Sequence, residues 1–141
     1  MGALSFADLP DRALLLVDSA PIIFVLEAHA TLAARFLPLF EAHAAGRLRF
    51  AVTTMAIAEV LTGPLRAGEE SLVRRYRSVL ESWQVVPLDT DIAESAARLR
   101  GATGLRLADA VQAASALCIN AAALVTHDRD FSRLKGLRVL G

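Results

Sequence analysis

The residues Ala13-Leu-Leu-Leu-Val17 make an unbroken apolar run that stops on Asp18-Ser19. A strand with five consecutive apolar residues has no polar face for water, so it must be covered on both sides. That requirement points to a parallel sheet with helices on each face. Arg49-Phe-Ala-Val-Thr53, Gln84-Val-Val86, Ala123-Leu-Val-Thr126 and Leu137-Arg-Val-Leu140 read as four further strands. Between the strands, spacing and end signals predict helices over about 21–27, 30–45, 55–62, 69–81, 91–102 and 107–121. Pro21 suits the first turn of one helix and Gly46 the exit from the next. Thr53-Thr54 can cap the third, and Gly63-Pro64 should stop it. Asp89-Thr90-Asp91 opens the fifth, with Asp91 read as its cap, and Gly101 and Gly104 break it. Strands alternating with helices mean crossover connections and an α/β fold whose sheet is mostly parallel. In such sheets ligands bind at the carboxyl ends of the strands, near the point where strand order reverses.

A chain of 141 residues, 55% of them hydrophobic, suits one packed domain over residues 1–141 and argues against disorder. Fifteen basic residues match fifteen acidic ones, so a nucleic-acid partner would be met by a local basic patch, not by the field of the whole molecule. The single cysteine, Cys118, cannot form an internal disulfide, and its neighbours Ser115 to Ile119 predict a buried helix position. Met1 to Arg12 carries Asp8 and Asp11 and no basic region ahead of an apolar stretch, so no signal peptide is expected. The apolar stretch Ala13 to Leu26 is broken by Asp18 and Pro21 and is too short to span a bilayer. The expected setting is the cytoplasm, with no membrane partner.

Four acids stand in apolar company. Asp18 closes the first strand, Asp128 follows the fourth, Glu59 lies in Met55-Ala-Ile-Ala-Glu-Val-Leu61, and Asp109 lies in Leu107-Ala-Asp-Ala-Val111. Each has a plain structural reading: Asp18 as a helix cap, Asp109 as a partner of a helix dipole, Glu59 as a solvent-facing residue, Asp128 as a turn residue. Asp130, ahead of Phe131-Ser-Arg133, reads first as a cap. The four nevertheless share one predicted sheet edge. Lone carboxylates there would be desolvated or driven to higher pKa, whereas several converging on a cation would not. Oxygen donors without a Cys or His cluster suit Mg²⁺ or Mn²⁺ and not zinc.

Leu16-Val-Asp-Ser19, Thr53-Thr-Met-Ala-Ile-Ala-Glu-Val60, Leu105-Arg-Leu-Ala-Asp-Ala-Val-Gln112 and Val125-Thr-His-Asp-Arg-Asp-Phe131 together resemble the four signature stretches of a PIN-domain ribonuclease, and more narrowly those of VapC-type toxins. Each stretch alone is weak, but four in order on the expected elements are specific, and they cover nearly the whole chain. The resemblance implies a five-stranded sheet in the order 3-2-1-4-5 flanked by helices. It also implies an endoribonuclease using Mg²⁺ or Mn²⁺, homodimerisation, and inhibition by a cognate antitoxin protein. Carried over, the family's catalytic and metal-binding acids fall on Asp18, Glu59, Asp109 and Asp128, with Thr126 and Ser19 in support. Ala20-Pro21 departs from the usual pattern and puts the shape of the first helix turn in question.

Metal held by carboxylates would offset the charge of a phosphodiester, lower the pKa of bound water and stabilise the transition state. Arg106, Arg129 and Arg133 are the candidate RNA contacts near the acids, and His127 can reach a phosphate. The run Arg74-Arg75-Tyr76-Arg77 reads as a charged helix face, and His29 and His43 as solvated residues of one helix. A non-catalytic PIN-like domain that binds RNA or a protein is the alternative, although nothing physical would then keep repelling carboxylates together. A phosphatase-like or response-regulator-like reading would need a second acid beside Asp18, where Ser19-Ala-Pro21 stands, and a lysine after a later strand, whereas the only lysine is Lys135.

Overall fold

The structure, a computed structural model, describes residues 4–141, without the side chain of Arg133. The chain runs β1 (Ala13–Val17), α1 (Ser19–Leu26), α2 (Leu32–Ala44), β2 (Leu48–Thr53), α3 (Thr54–Arg66), α4 (Glu70–Glu81), β3 (Gln84–Val86), α5 (Thr90–Thr103), α6 (Leu107–Cys118), β4 (Ala123–Val125), a 3₁₀ turn (Arg129–Arg133) and β5 (Val139–Leu140). The strands form one parallel sheet in the order β3-β2-β1-β4-β5. β1 is central and buried along its whole length, as its apolar run requires.

The pleat sends alternate β1 residues into two cores. Ala13, Leu15 and Val17 join Ile22, Phe36, Leu39 and Val52 under α1–α4, whereas Leu14 and Leu16 join Ala110, Ala113, Ala114, Leu124 and Phe131 under α5 and α6. Four buried alanines on α6 (110, 113, 114 and 116) let that helix lie close against the sheet. The chain builds β1, β2 and β3 in one direction and then returns to the other side of β1 with β4. The carboxyl ends of β1 and β4 therefore flank the reversal point, and the Asp18 N–H donates to the Val125 carbonyl there at 2.8 Å.

Several helix ends differ from the expected ones, and the left-handed residues explain them. α3 runs through Gly63-Pro64 and ends at Arg66. Its stop is Gly68 at φ 71, where Gly68 and Glu69 donate to the Leu65 and Pro64 carbonyls in a Schellman closure. The absent N–H of Pro64 forfeits one helical bond near the end, while the ring itself is buried. α6 stops at Cys118, not Ala121, because Asn120 takes φ 52 and the same closure follows. Cys118 is consequently exposed at a helix end, not buried.

α5 is capped by Asp89, whose side chain accepts from the Ile92 N–H, and Asp91 sits in the first turn instead of at the cap. Gly101 lies inside α5, and only Gly104 ends it. α1 begins at Ser19 with Asp18 as its cap, so Pro21 falls in the first turn, where N–H groups lack helical partners in any case. The unusual proline leaves that turn regular. Of the two histidines expected in solvent, His29 is exposed and His43 is half-buried. His29 precedes α2, and its Nδ1 accepts from the Thr31 and Leu32 N–H groups. His43 stacks on Phe50 at 4.4 Å, and burial pushes its pKa down. Arg74, Arg75 and Arg77 are exposed on α4, as expected of a charged face. Among the described residues no helix is long and apolar enough to cross a membrane.

Candidate metal centre

One cleft of about 390 Å³ at the carboxyl edge of the sheet is lined by Asp18, Glu59, Asp109 and Asp128, together with Ser19, Arg106, Gln112 and His127. Four elements deliver the acids. Asp18 is the residue after β1, Glu59 lies on the second turn of α3, Asp109 lies in the first turn of α6, and Asp128 follows β4 and caps the 3₁₀ turn.

Asp18 is held most firmly. Its Oδ1 accepts from the Ser19 N–H at 2.9 Å and from Gln112 Nε2 at 2.8 Å, and its Oδ2 accepts from the Thr126 hydroxyl at 2.8 Å. Thr126, only 1% exposed, also accepts from the Asp128 N–H at 3.1 Å and so ties the β1 acid to the β4 acid. Thr126 thus hydrogen-bonds both acids. The Ser19 N–H donates to Asp18, and the Ser19 side chain faces Glu59 across the same cleft and lowers its pKa.

Gln112 was not singled out from the sequence. It is buried on α6, its Oε1 accepts from the Thr53 hydroxyl at 2.8 Å, and its Nε2 donates to Asp18. Thr53 in turn caps α3 by accepting from the Ala56 N–H at 3.0 Å. A single side chain thereby links the ends of β1 and β2 to α6. The signal was present, since Gln112 is the one amide in an otherwise small, apolar helix stretch one turn after Asp109. Gln112→Leu leaves the Asp18 and Thr53 groups short of a buried partner, so it should cost about 1–3 kcal/mol. Urea unfolding would show that as a lower midpoint with an unchanged slope.

The charges are poised against one another. Asp109, Asp128 and Asp130 each bring a carboxylate oxygen within 4.8 Å of the other two. Asp130 is therefore a neighbour of the acids, and its N–H donates to Asp128 Oδ1 at 2.9 Å; the cap of that turn is Asp128, not Asp130. Burial first, and then the Asp128 charge, push the Asp109 carboxyl up to about 6. Partial desolvation and the Asp18 charge also raise the pKa of Glu59, which stays largely exposed at the cleft wall, and Ser19 opposes the shift. Arg106 faces this cluster, with guanidinium nitrogens 3.8 Å from Asp109, 3.7 Å from Asp128 and 3.6 Å from Asp130. At those distances it offsets charge without forming tight hydrogen bonds. Asp109 Oδ2 is buried and accepts no hydrogen bond among the described residues. A buried, uncompleted carboxylate oxygen beside others within a few ångströms fits a hard divalent cation with oxygen ligands.

Among the remaining candidates, Arg106 lines the cleft, as a counter-charge to the acids. Arg129 is exposed on the 3₁₀ turn, and the reading of Arg133 as an RNA contact lies outside the described side chains. His127 lines the cleft with its ring held edge-on to Phe24 at 5.5 Å and Phe36 at 6.2 Å.

A five-stranded parallel sheet in this order with acids at its reversal point defines a class of α/β domain built around a carboxylate site. The PIN domain family profile matches residues 15–137, and the chain belongs to that family. Among solved structures, the chain is similar to a toxin–antitoxin complex from Klebsiella pneumoniae, at 23% identity and TM-score 0.70 over 87% of this chain and 94% of that one. It is similar to VapBC-5 of Mycobacterium tuberculosis at 26% identity and TM-score 0.56, over 90% and 95% of the two chains. It also resembles the sarcin-ricin loop cleaving toxin VapC20 of Mycobacterium tuberculosis at 17% identity and TM-score 0.66, over 84% and 92%. No curated protein sequence matches with comparable significance.

Proposed function

We propose that the protein is a Mg²⁺- or Mn²⁺-dependent endoribonuclease that acts as the toxin of a type II toxin–antitoxin pair in the cytoplasm. The observation that carries this reading is the delivery of four carboxylates, from four separate elements, into one cleft at the strand-order reversal. Keeping like charges together opposes folding, and a bound cation is the simplest physical use for the arrangement. Membership of the PIN family and the toxin neighbours support the same reading. The alternative, a non-catalytic PIN-like domain, gains nothing from keeping the acids in one cleft.

A bound cation would offset phosphodiester charge and make a water more nucleophilic. The chain's own residues prepare the site for it. Gln112, Thr126 and the Ser19 N–H fix both oxygens of Asp18 in one orientation. Asp109 and Asp128 present further oxygens, and Glu59 closes the α3 side of the cleft. Arg106 balances the acids and stands where an RNA phosphate would approach.

Protein partners follow from the same reading: a cognate antitoxin that places a basic side chain against the acids, and a second copy of the chain in a homodimer. The experiment is to incubate the purified protein with a mixed RNA pool, with and without Mn²⁺, and to map new ends. Discrete cleavage that needs Mn²⁺ is expected, together with growth arrest on expression that the protein encoded beside it relieves. An RNA pool left intact in Mn²⁺ would overturn the nuclease assignment. Growth arrest that the neighbouring protein does not relieve would overturn the antitoxin.

A further inference from the structure

A second concavity, of about 370 Å³, adjoins the acidic cleft at the same sheet edge on the β5 side. Its wall includes Arg35 from α2, His127, and Arg129 and Ser132 from the 3₁₀ turn, and it shares His127 and Asp128 with the cleft. The geometry points to a subsite that takes a nucleotide of RNA flanking the cleaved phosphate, with its phosphate toward Arg129. This inference rests on the ribonuclease reading and adds where the substrate chain lies beside the acids.

Three observations carry it. First, the cleft itself is acidic and the whole chain has no net charge, so a polyanion needs cations next to the acids. The adjoining pocket supplies the Arg129 guanidinium at its wall, whereas the Arg35 guanidinium there already donates to the Gly141 oxygen. Second, the pocket is large enough for one nucleotide, since small-ligand sites start at about 300 Å³. Third, the His127 imidazole forms the boundary between the two cavities, and edge-on contacts with Phe24 and Phe36 hold its orientation. A ring fixed in that way can stack on an unpaired base, which is how single-stranded RNA is commonly gripped. Ser132 adds a hydroxyl at the same wall. A strand laid across the cleft would meet the acids and then this pocket with no gap between, because His127 and Asp128 line both.

The test is the binding of a fluorescently labelled single-stranded RNA to the full chain in EDTA, where cleavage is prevented, across a range of salt concentrations. Arg129→Ala is expected to weaken binding about tenfold and to reduce the slope of log affinity against log salt by about 0.7, the signature of one lost phosphate contact on a single strand. Arg129→Glu should weaken it further. The melting shift that Mn²⁺ produces should be the same in Arg129→Ala as in wild type, showing that fold and acids are intact. Wild-type affinity and salt slope in Arg129→Ala would overturn the subsite while the ribonuclease reading stands. Loss of the Mn²⁺ shift would place Arg129 in the acidic cleft and overturn the subsite as well. A wild-type protein that binds no RNA here would overturn the subsite, and only one that also leaves RNA uncut in Mn²⁺ would overturn the ribonuclease reading.

Discussion

Asp18→Asn should abolish RNA cleavage, by at least about 10³-fold, in a protein that still folds. Asn keeps the shape of Asp, so its Oδ1 can go on accepting from Ser19 and Gln112, and its amide can donate to the Thr126 hydroxyl. What it loses is the charge that would hold a cation at the carboxyl end of β1. Circular dichroism and a melting curve close to wild type would establish the fold. Asp91→Asn is the matched control, because Asp91 is an exposed first-turn residue of α5 capped by Asp89, and its activity should stay at the wild-type level. If Asp18→Asn cuts RNA at near the wild-type rate in the same Mn²⁺ buffer, Asp18 is a helix cap and nothing more.

The second large effect concerns stability and does not depend on the substrate. Two carboxylates about 5 Å apart repel by roughly 3 kcal/mol at an effective dielectric near 20. Asp109 sits among such neighbours, and its carboxyl is raised to about 6 by burial and by the Asp128 charge. Arg106 relieves only part of this, from 3.6 to 3.8 Å. Replacing Asp109 by Asn removes a repelling charge, so in EDTA at neutral pH the variant should melt about 2–4 °C above wild type, corresponding to about 1 kcal/mol.

The sign of the pH dependence follows from the raised pKa. Between the unfolded value of 3.8 and about 6 the folded state holds the extra proton. Metal-free wild type therefore loses stability as pH climbs through that window, and Asp109→Asn loses less. Mn²⁺ at a hundredfold excess over its dissociation constant should then stabilise wild type by about 2.7 kcal/mol and do little for the variant. Equal Mn²⁺ shifts in the two proteins, or a variant clearly less stable than wild type in EDTA, would make Asp109 a helix-terminus residue.

The parts of this arrangement that were legible in the sequence are those set by local composition. β1 could be read because burial on both faces demands an apolar run, and β3 could be read residue for residue. Asp18 was legible because it directly follows β1, Asp128 because it comes shortly after β4, and Glu59 and Asp109 because each interrupts an apolar helix stretch. Helix ends were less legible. A Gly-Pro pair looks like a stop, yet α3 continues until Gly68 can adopt a left-handed conformation, and α6 ends early because Asn120 does so. The contacts that tune the site were the least legible. Gln112 bridging Thr53 and Asp18, and Arg106 facing three acids, depend on residues far apart in the chain that only the closed fold brings together. His43 lying flat on Phe50 is a tertiary contact of the same kind, with no trace in the helical pattern.

The central claim is that the acids at the ends of β1 and β4 hold a divalent cation, and a calorimetric Mn²⁺ titration of wild type and Asp18→Asn tests it most directly. Wild type should give saturable binding that weakens as pH falls below about 6, where Asp109 takes up a proton that must leave before the cation is held. Asp18→Asn should give little or no heat of binding at the same concentrations. A wild-type titration with no saturable binding at neutral pH, or one that Asp18→Asn leaves unchanged, would contradict the account.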